Sequence, residues 1–131
     1  KDEGKSWLIP FVRRFGREVF LFNELSEWEK LAPLALDTTH LATGGYDILD
    51  TYRRLKDKIA HVHLSNYDKR EHSLPQKGVL PIADLLTQLR RDEFRGVVAL
   101  ELHPQSVEAV SEKKVRKNIR DSLDFCRQYF G

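Results

Sequence analysis

The sequence predicts an α/β fold built on parallel strands. Three observations carry this. From residue 34 onward, short apolar runs alternate with stretches whose apolar residues recur at helical spacing. The runs are continuously apolar rather than alternating, as in strands covered on both faces. All five histidines (His40, His61, His63, His72 and His103), together with Asp37 and Glu101, lie in or just beyond the C-terminal ends of those runs. That is where ligands bind in parallel α/β folds.

Taken in order, residues 1–33 read as an irregular lead-in with a short helix. "REVFLF" (17–22) has the Val and Phe content of a strand. "SEWE" (26–29) has the Ser and Glu of a capping box opening a helix that Pro33 stops. The regular part, 34–131, begins with "LALD", a strand, followed by a Gly-rich turn at Gly44-Gly45. Ile48, Leu49, Tyr52 and Leu55 form one helical stripe. "IAHVHL" (59–64) is the second strand, and a long loop leads to "PIADLLTQLRRD", where Pro81 suits a first helical turn. Ile82, Leu85, Leu86 and Leu89 line one face of that helix. "GVVALEL" (96–102) is the third strand. A last helix from about Val107 to Phe130 buries Val115, Ile119, Leu123, Cys126 and Phe130. This order of elements implies right-handed crossovers, in either an open doubly wound sheet or part of a (β/α)₈ barrel.

Composition narrows the class of function. With 40% apolar and 32% charged residues, the chain is a soluble globular one. No apolar run approaches the ~20 residues of a membrane span. The net charge of +2 offers no reason to expect nucleic acid as a partner. A single cysteine, Cys126, and no secretory pattern indicate a cytoplasmic protein. The chain has no methionine and opens at Lys1, so its N-terminus is expected to be processed, cut, or the edge of a longer polypeptide.

Strand alternation puts His61 and His63 on one face, ~6.6 Å apart along the chain. It likewise puts Val97, Ala99 and Glu101 on one face of the third strand. Each polar residue has an ordinary reading alone: Asp37 a helix cap, His61 a core histidine bonded to a carbonyl, His72 and His103 loop residues, Glu101 the partner of an Arg or Lys. Together, Asp-x-x-His, His-x-His and Glu on three successive units point to a shared site. Buried carboxylates need a cation, a proton or strong donors. A divalent metal satisfies two carboxylates and several imidazoles at once, and the donor mix suits Zn²⁺ or Mn²⁺, and also Co²⁺ or Mg²⁺. Ser65, Ser73 and Cys126 lack a nucleophile's context.

"LALDTTHLATGGYD", "IAHVHLSNYDKREHSLPQKG" and "VVALELHP" together resemble the last three βα units of the xylose isomerase-like barrel superfamily. That superfamily includes sugar-phosphate isomerases and epimerases and the zinc-dependent apurinic-site endonucleases. The resemblance selects the barrel over the open sheet: a partial (β/α)₈ TIM barrel with parallel strands and flanking helices. It implies that Asp37, His63 and Glu101 bind the metal and that Glu101 also acts as acid/base. It implies that His40 and His72 face the substrate. Lys69 or Arg70 would join them in orienting hydroxyls or a phosphate, and His61 would support the metal ligands from behind. The chain departs from the endonucleases, which carry an Asp-x-His zinc pair where Lys69 and Glu71 stand. The fifth-strand Glu of the epimerases has no clear counterpart, since Glu18 and Glu24 lie in the wrong context.

The expectation is therefore a divalent-metal-dependent sugar or sugar-phosphate isomerase or epimerase. A barrel takes ~250 residues, so this chain should supply its C-terminal part and be inactive alone. Open sheet edges imply a homo-oligomer or poor solubility. The alternatives are an apurinic-site phosphodiesterase and a non-catalytic sugar-binding or scaffold relative. Partners are a sugar or sugar phosphate, with no membrane and no nucleic acid.

Overall fold

A computed structural model describes residues 33–131. The expected strand at 17–22 and capping box at 26–29 lie outside the described residues. Those residues form β1 (Leu34–Asp37), α1 (Thr38–Thr43), α2 (Ile48–Leu55), a 3₁₀ turn (Lys56–Lys58), β2 (Ile59–Leu64), α3 (Ile82–Arg91), β3 (Val97–Leu100) and α4 (Glu112–Phe130). The strands make a parallel sheet in the order β1-β2-β3. Parallel neighbours need long crossovers, and α2 and α3 are those crossovers.

The register sets Ala35 beside His61 and Asp37 beside His63. It continues with His61 beside Val97 and His63 beside Ala99. One face of the sheet thus carries Ala35, Asp37, His61, His63, Val97 and Ala99. The other face carries Leu34, Leu36, Val62 and Leu64, which join Ile48, Tyr52, Leu55, Ile82, Leu85, Leu86 and Leu89 in the core. Burying each such side chain contributes ~1.5–3 kcal/mol. Asp47 caps α2, its Oδ1 accepting from Asp50 N at 2.8 Å.

Three expectations needed correction. The turn after β1 contains a helix, α1, because Asp37 caps it. β3 ends at Leu100, although Glu101 N still donates to Leu64 O at 3.1 Å, so the ladder outlasts the strand by one bond. The last helix starts at Glu112, not near Val107: Ser111 is its cap, and Glu108 sits in the left-handed region at φ 55. That later start also changes the buried face. Ile119 and Leu123 are 39% and 38% exposed, while Ser122 is buried and Phe125, Cys126, Tyr129 and Phe130 pack against the core.

Tyr52 Oη donates to Asp92 Oδ2 at 2.9 Å, and Lys56 Nζ stands 3.7 Å from the same carboxylate. Burial first, then Asp92, pushes the Tyr52 hydroxyl well above the usual phenol range. This network borders a cleft of about 480 Å³ with Ile59 and Gly96, at the strands' N-terminal ends. In barrels that face serves stability rather than catalysis.

Burial pushes the Cys126 thiol up to about 11 from 9.0. Its folded pKa is raised, so the thiol's contribution to stability is complete below pH ~9 and is lost as pH rises toward ~11. At pH 8 the folded protein should react with Ellman's reagent roughly a hundredfold more slowly than the urea-unfolded protein. Equal rates would refute the burial.

Candidate functional site

β1 ends at Asp37, which is 3% exposed and does two things. Its Oδ1 accepts from His40 N at 3.0 Å, capping α1. Its Oδ2 faces the His40 ring, 3.7 Å from Nδ1. β2 delivers His63, 9% exposed, on the same side of the sheet. Glu101 follows β3 by one residue, and its Oε2 lies 2.6 Å from His63 Nδ1. Asp37, His63 and Glu101 each offer one ligand atom, all within 4.8 Å of one another. That is close to the span of one coordination sphere with bonds of ~2.0–2.2 Å.

The donor set fits a divalent ion. It combines one imidazole with two carboxylates, the mixture that zinc and manganese sites use. Among the described residues no Lys or Arg pairs with Asp37, whose buried charge otherwise meets only the His40 ring and the backbone of α1. His61 lies behind the group, its ring edge-on to His63 with centroids 4.8 Å apart.

A second group stands beside the first. His40, Glu71 and His72 have ligand atoms within 4.8 Å of one another. The His40 and His72 rings meet edge to face at 5.3 Å. His72 is held from below by a hydroxyl chain, Ser65 Oγ lying 3.2 Å from its Nδ1 and Thr39 Oγ1 lying 2.5 Å from Ser65 Oγ.

The loop after β2 makes this possible. Asn66 and Ser73 pair through two backbone bonds of 2.9 Å and close a tight hairpin. Asn66 Oδ1 accepts from Tyr67 N at 2.8 Å and Leu80 N at 2.9 Å, while its Nδ2 donates to Pro75 O at 2.9 Å. Gly78 is required here: at φ +139, an added Cβ would lie 2.4 Å from Asn66 Oδ1 and Tyr67 O.

Lys69 and Arg70 are in neither group of ligands. They line a separate cleft of about 310 Å³ with Lys77, Gln105 and Glu108, and Arg70 Nη1 donates to Gln105 Oε1. His103 is a loop residue, its Nδ1 accepting from Gln105 N at 3.1 Å. Reading the sequence missed Thr39 and Asn66, and weighed Ser65 only as a nucleophile. It also passed over Glu71, which it weighed only as a departure from a zinc pair.

The xylose isomerase-like TIM barrel family model matches residues 21–129. The chain belongs to that family. An uncharacterized protein of Mycobacterium leprae is 35% identical over 101 residues, covering 75% of this chain and 35% of that protein. An uncharacterized protein of Mycobacterium tuberculosis is 34% identical over the same length, with the same coverage. A D-psicose 3-epimerase of Enterocloster bolteae is 26% identical over 112 residues, covering 75% of this chain and 36% of the enzyme. The chain spans about a third of the length of these curated relatives. As a member of the xylose isomerase-like family it is a TIM-barrel chain, and its three parallel strands with flanking helices are consistent with part of such a barrel. Among the described residues, no helix is long and apolar enough to cross a membrane.

Calorimetric titration of the full-length protein with Mn²⁺ or Zn²⁺ tests the first group. Asp37→Asn, His63→Gln and Glu101→Gln should each weaken binding at least about tenfold, and His61→Gln by less. Unchanged affinity in all three would remove the site. Gly78→Ala should lower the unfolding midpoint in urea and weaken metal binding little, because it strains the Asn66 turn rather than a ligand.

Proposed function

We propose that the full-length protein is a divalent-metal-dependent isomerase or epimerase of a sugar or sugar phosphate. The convergence of Asp37, His63 and Glu101 carries this reading. Membership of the xylose isomerase-like family and the 26% likeness to a D-psicose 3-epimerase support it.

A divalent ion bound there would supply Lewis-acid polarisation of a substrate carbonyl and charge to stabilise an enediolate. The residues of this chain supply the rest. Asp37 and His63 hold their positions rigidly, one by its cap and the other by burial between β1 and β3. Glu101, with a side chain 39% exposed, has room to take a proton from a substrate carbon and return it. Its partner on the opposite face of that carbon would be a second carboxylate from elsewhere in the barrel. His40 and His72 lie beside the metal group and would orient substrate hydroxyls. Lys69 and Arg70 would act only on a substrate long enough to reach their cleft.

Among the described residues β3 pairs only with β2, and the 55% exposure of Val97 supports completion of the sheet by further strands. Those strands would come from the rest of a barrel or from a second copy. A cytoplasmic location agrees with the lone, unpaired cysteine.

Exchange of substrate C–H with solvent tests the reaction. The full-length enzyme, given Mn²⁺, Co²⁺, Mg²⁺ or Zn²⁺, should wash deuterium into the carbon beside the carbonyl of a ketose or ketose phosphate. Glu101→Gln should lower that rate by about 10²–10⁴-fold even at metal concentrations raised far enough to saturate its weakened site. No exchange with any ketose and any of the four metals would sink the proposal. Nicking of a duplex containing an abasic site would replace it with the phosphodiesterase reading. Failure to bind metal at all would leave a scaffold or sugar-binding protein.

A further inference from the structure

The hydroxyl chain beneath His72 has a direction that proton counting reveals. Thr39 and Ser65 are both fully buried. Thr38 Oγ1 already serves the Ser65 backbone, donating to Ser65 O at 2.6 Å and accepting from Ser65 N at 3.0 Å. Among the described residues the other two hydroxyls therefore have only each other and His72. Among the described residues, Thr39 Oγ1 meets Ser65 Oγ, and Ser65 Oγ meets Thr39 Oγ1 and His72 Nδ1.

Two hydroxyl protons must be placed along three atoms. If Thr39 donates to Ser65 and Ser65 donates to His72, each buried proton has an acceptor. If His72 Nδ1–H donates to Ser65 and Ser65 to Thr39, the buried Thr39 proton has no acceptor among the described residues. Buried donors without acceptors are rare and costly. The first arrangement wins, and it requires a bare nitrogen at Nδ1. A neutral imidazole then carries its proton on Nε2.

We propose that Ser65, its oxygen occupied by the Thr39 hydroxyl, is a positioning residue that holds His72 as its Nε2–H tautomer, so that the ring presents a hydrogen-bond donor to an oxygen of the ligand instead of a lone pair to a second metal ion. The Nδ1 lone pair is spent on Ser65 and Nε2 holds a proton, so the ring lacks a free electron pair for a cation. His40, Glu71 and His72 lie close enough together to suggest a metal group. The hydroxyl chain argues that they instead form a polar wall reading hydroxyl, carbonyl or phosphate oxygens. The backbone braces the same choice. His72 occupies the left-handed region at φ 58, its carbonyl accepts from His103 N at 2.9 Å, and the Asn66–Ser73 pairing closes the turn. The ring is thus held in one orientation over Ser65. That its donor meets substrate rests on the isomerase reading above; the tautomer itself does not.

Long-range ¹⁵N–¹H correlation spectra of the full-length protein test this, with the His72 signals assigned by loss in His72→Gln. At neutral pH His72 should show one tautomer, protonated at Nε2. Two molar equivalents of Zn²⁺ should leave its nitrogen shifts unchanged. Ser65→Ala, which deletes the hydroxyl that donates to Nδ1, should release the ring and give a mixture of tautomers. Thr39→Val leaves the Ser65 proton with His72 as its acceptor and should preserve the single form. A wild-type ring protonated at Nδ1, or nitrogen shifts moving to metal-bound values with Zn²⁺, would overturn the proposal. So would an unaltered single tautomer in Ser65→Ala. The wild-type spectrum decides even if Ser65→Ala fails to fold. Inactivity toward all ketoses would count against the isomerase reading and leave this spectrum untouched.

Discussion

The candidate site depends first on a parallel ladder that sets Asp37 beside His63 and His63 beside Ala99. Side chains alternate faces along a strand, so slipping one strand by a residue would exchange its two faces. The apolar side forbids that. Leu34, Leu36, Val62 and Leu64 are each at most 4% exposed, packed against helices whose own Leu85, Leu86 and Leu89 are fully buried. A slip would drive a carboxylate and two imidazoles into that packing without partners, at several kcal/mol for the carboxylate alone. Just past the last ladder pair, Thr38 and Ser65 exchange hydrogen bonds of 2.6 and 3.0 Å and join the two strand ends. The hydrophobic core therefore specifies the polar constellation, although it touches none of its ligand atoms.

This explains what could be read from sequence. The strands and crossover helices were legible because burial writes itself as periodicity: Ile48, Tyr52 and Leu55 on α2, and Ile82, Leu85, Leu86 and Leu89 on α3, match the spacing that named them. The side of the sheet on which His61 and His63 project followed from alternation alone. The last helix misled because Ile119 and Leu123 are apolar yet half exposed, whereas the residue most deeply buried on it is Ser122, which bonds Gln76 Oε1 at 3.1 Å. A serine at a packing position leaves no hydrophobic signal. Lys69 and Arg70 were expected to orient substrate hydroxyls or a phosphate beside His72. The hairpin closed by Asn66 and Ser73 instead puts them in a cleft shared with Gln105. The hydroxyl-chain roles of Thr39 and Ser65 were invisible for a related reason. A hydroxyl acquires a role from a partner far along the chain, and nothing local announces the partner.

Asp37 shows how two readings that compete in sequence can both hold in structure. As a cap it is an ordinary residue; as a ligand it is a special one. A carboxylate has two oxygens, and the fold divides them: Oδ1 accepts from His40 N while Oδ2 faces the histidine ring. The cap in turn fixes where α1 begins, and so where His40 and Thr39 stand. Removing the carboxylate would disturb both groups of histidines, whereas amidation to Asn would preserve the cap and remove the charge. The comparison of Asp37→Asn with the other ligand variants therefore reports on charge more than on architecture.

The cleft beside Asp92 and the candidate site lie at opposite ends of the sheet, and the contrast bears on which one does chemistry. At the N-terminal end, Asp92 already receives the Tyr52 hydroxyl and Lys56 stands 3.7 Å away. Those groups satisfy one another, and the hydrogen bond from Tyr52 is the leading cause that keeps Asp92 ionised. At the C-terminal end the acids and imidazoles converge without an ammonium or guanidinium pairing with Asp37 among the described residues. They also differ in freedom. Asp37 is locked by the helix it caps; Glu101 lies beyond the last residue of β3, with a side chain far more open to solvent. A metal ligand benefits from the first condition and a proton carrier from the second, because the carrier must approach the substrate carbon, take the proton and swing to return it. The division of roles proposed for these two carboxylates thus follows from where each strand ends, not from the volume of the space beside it.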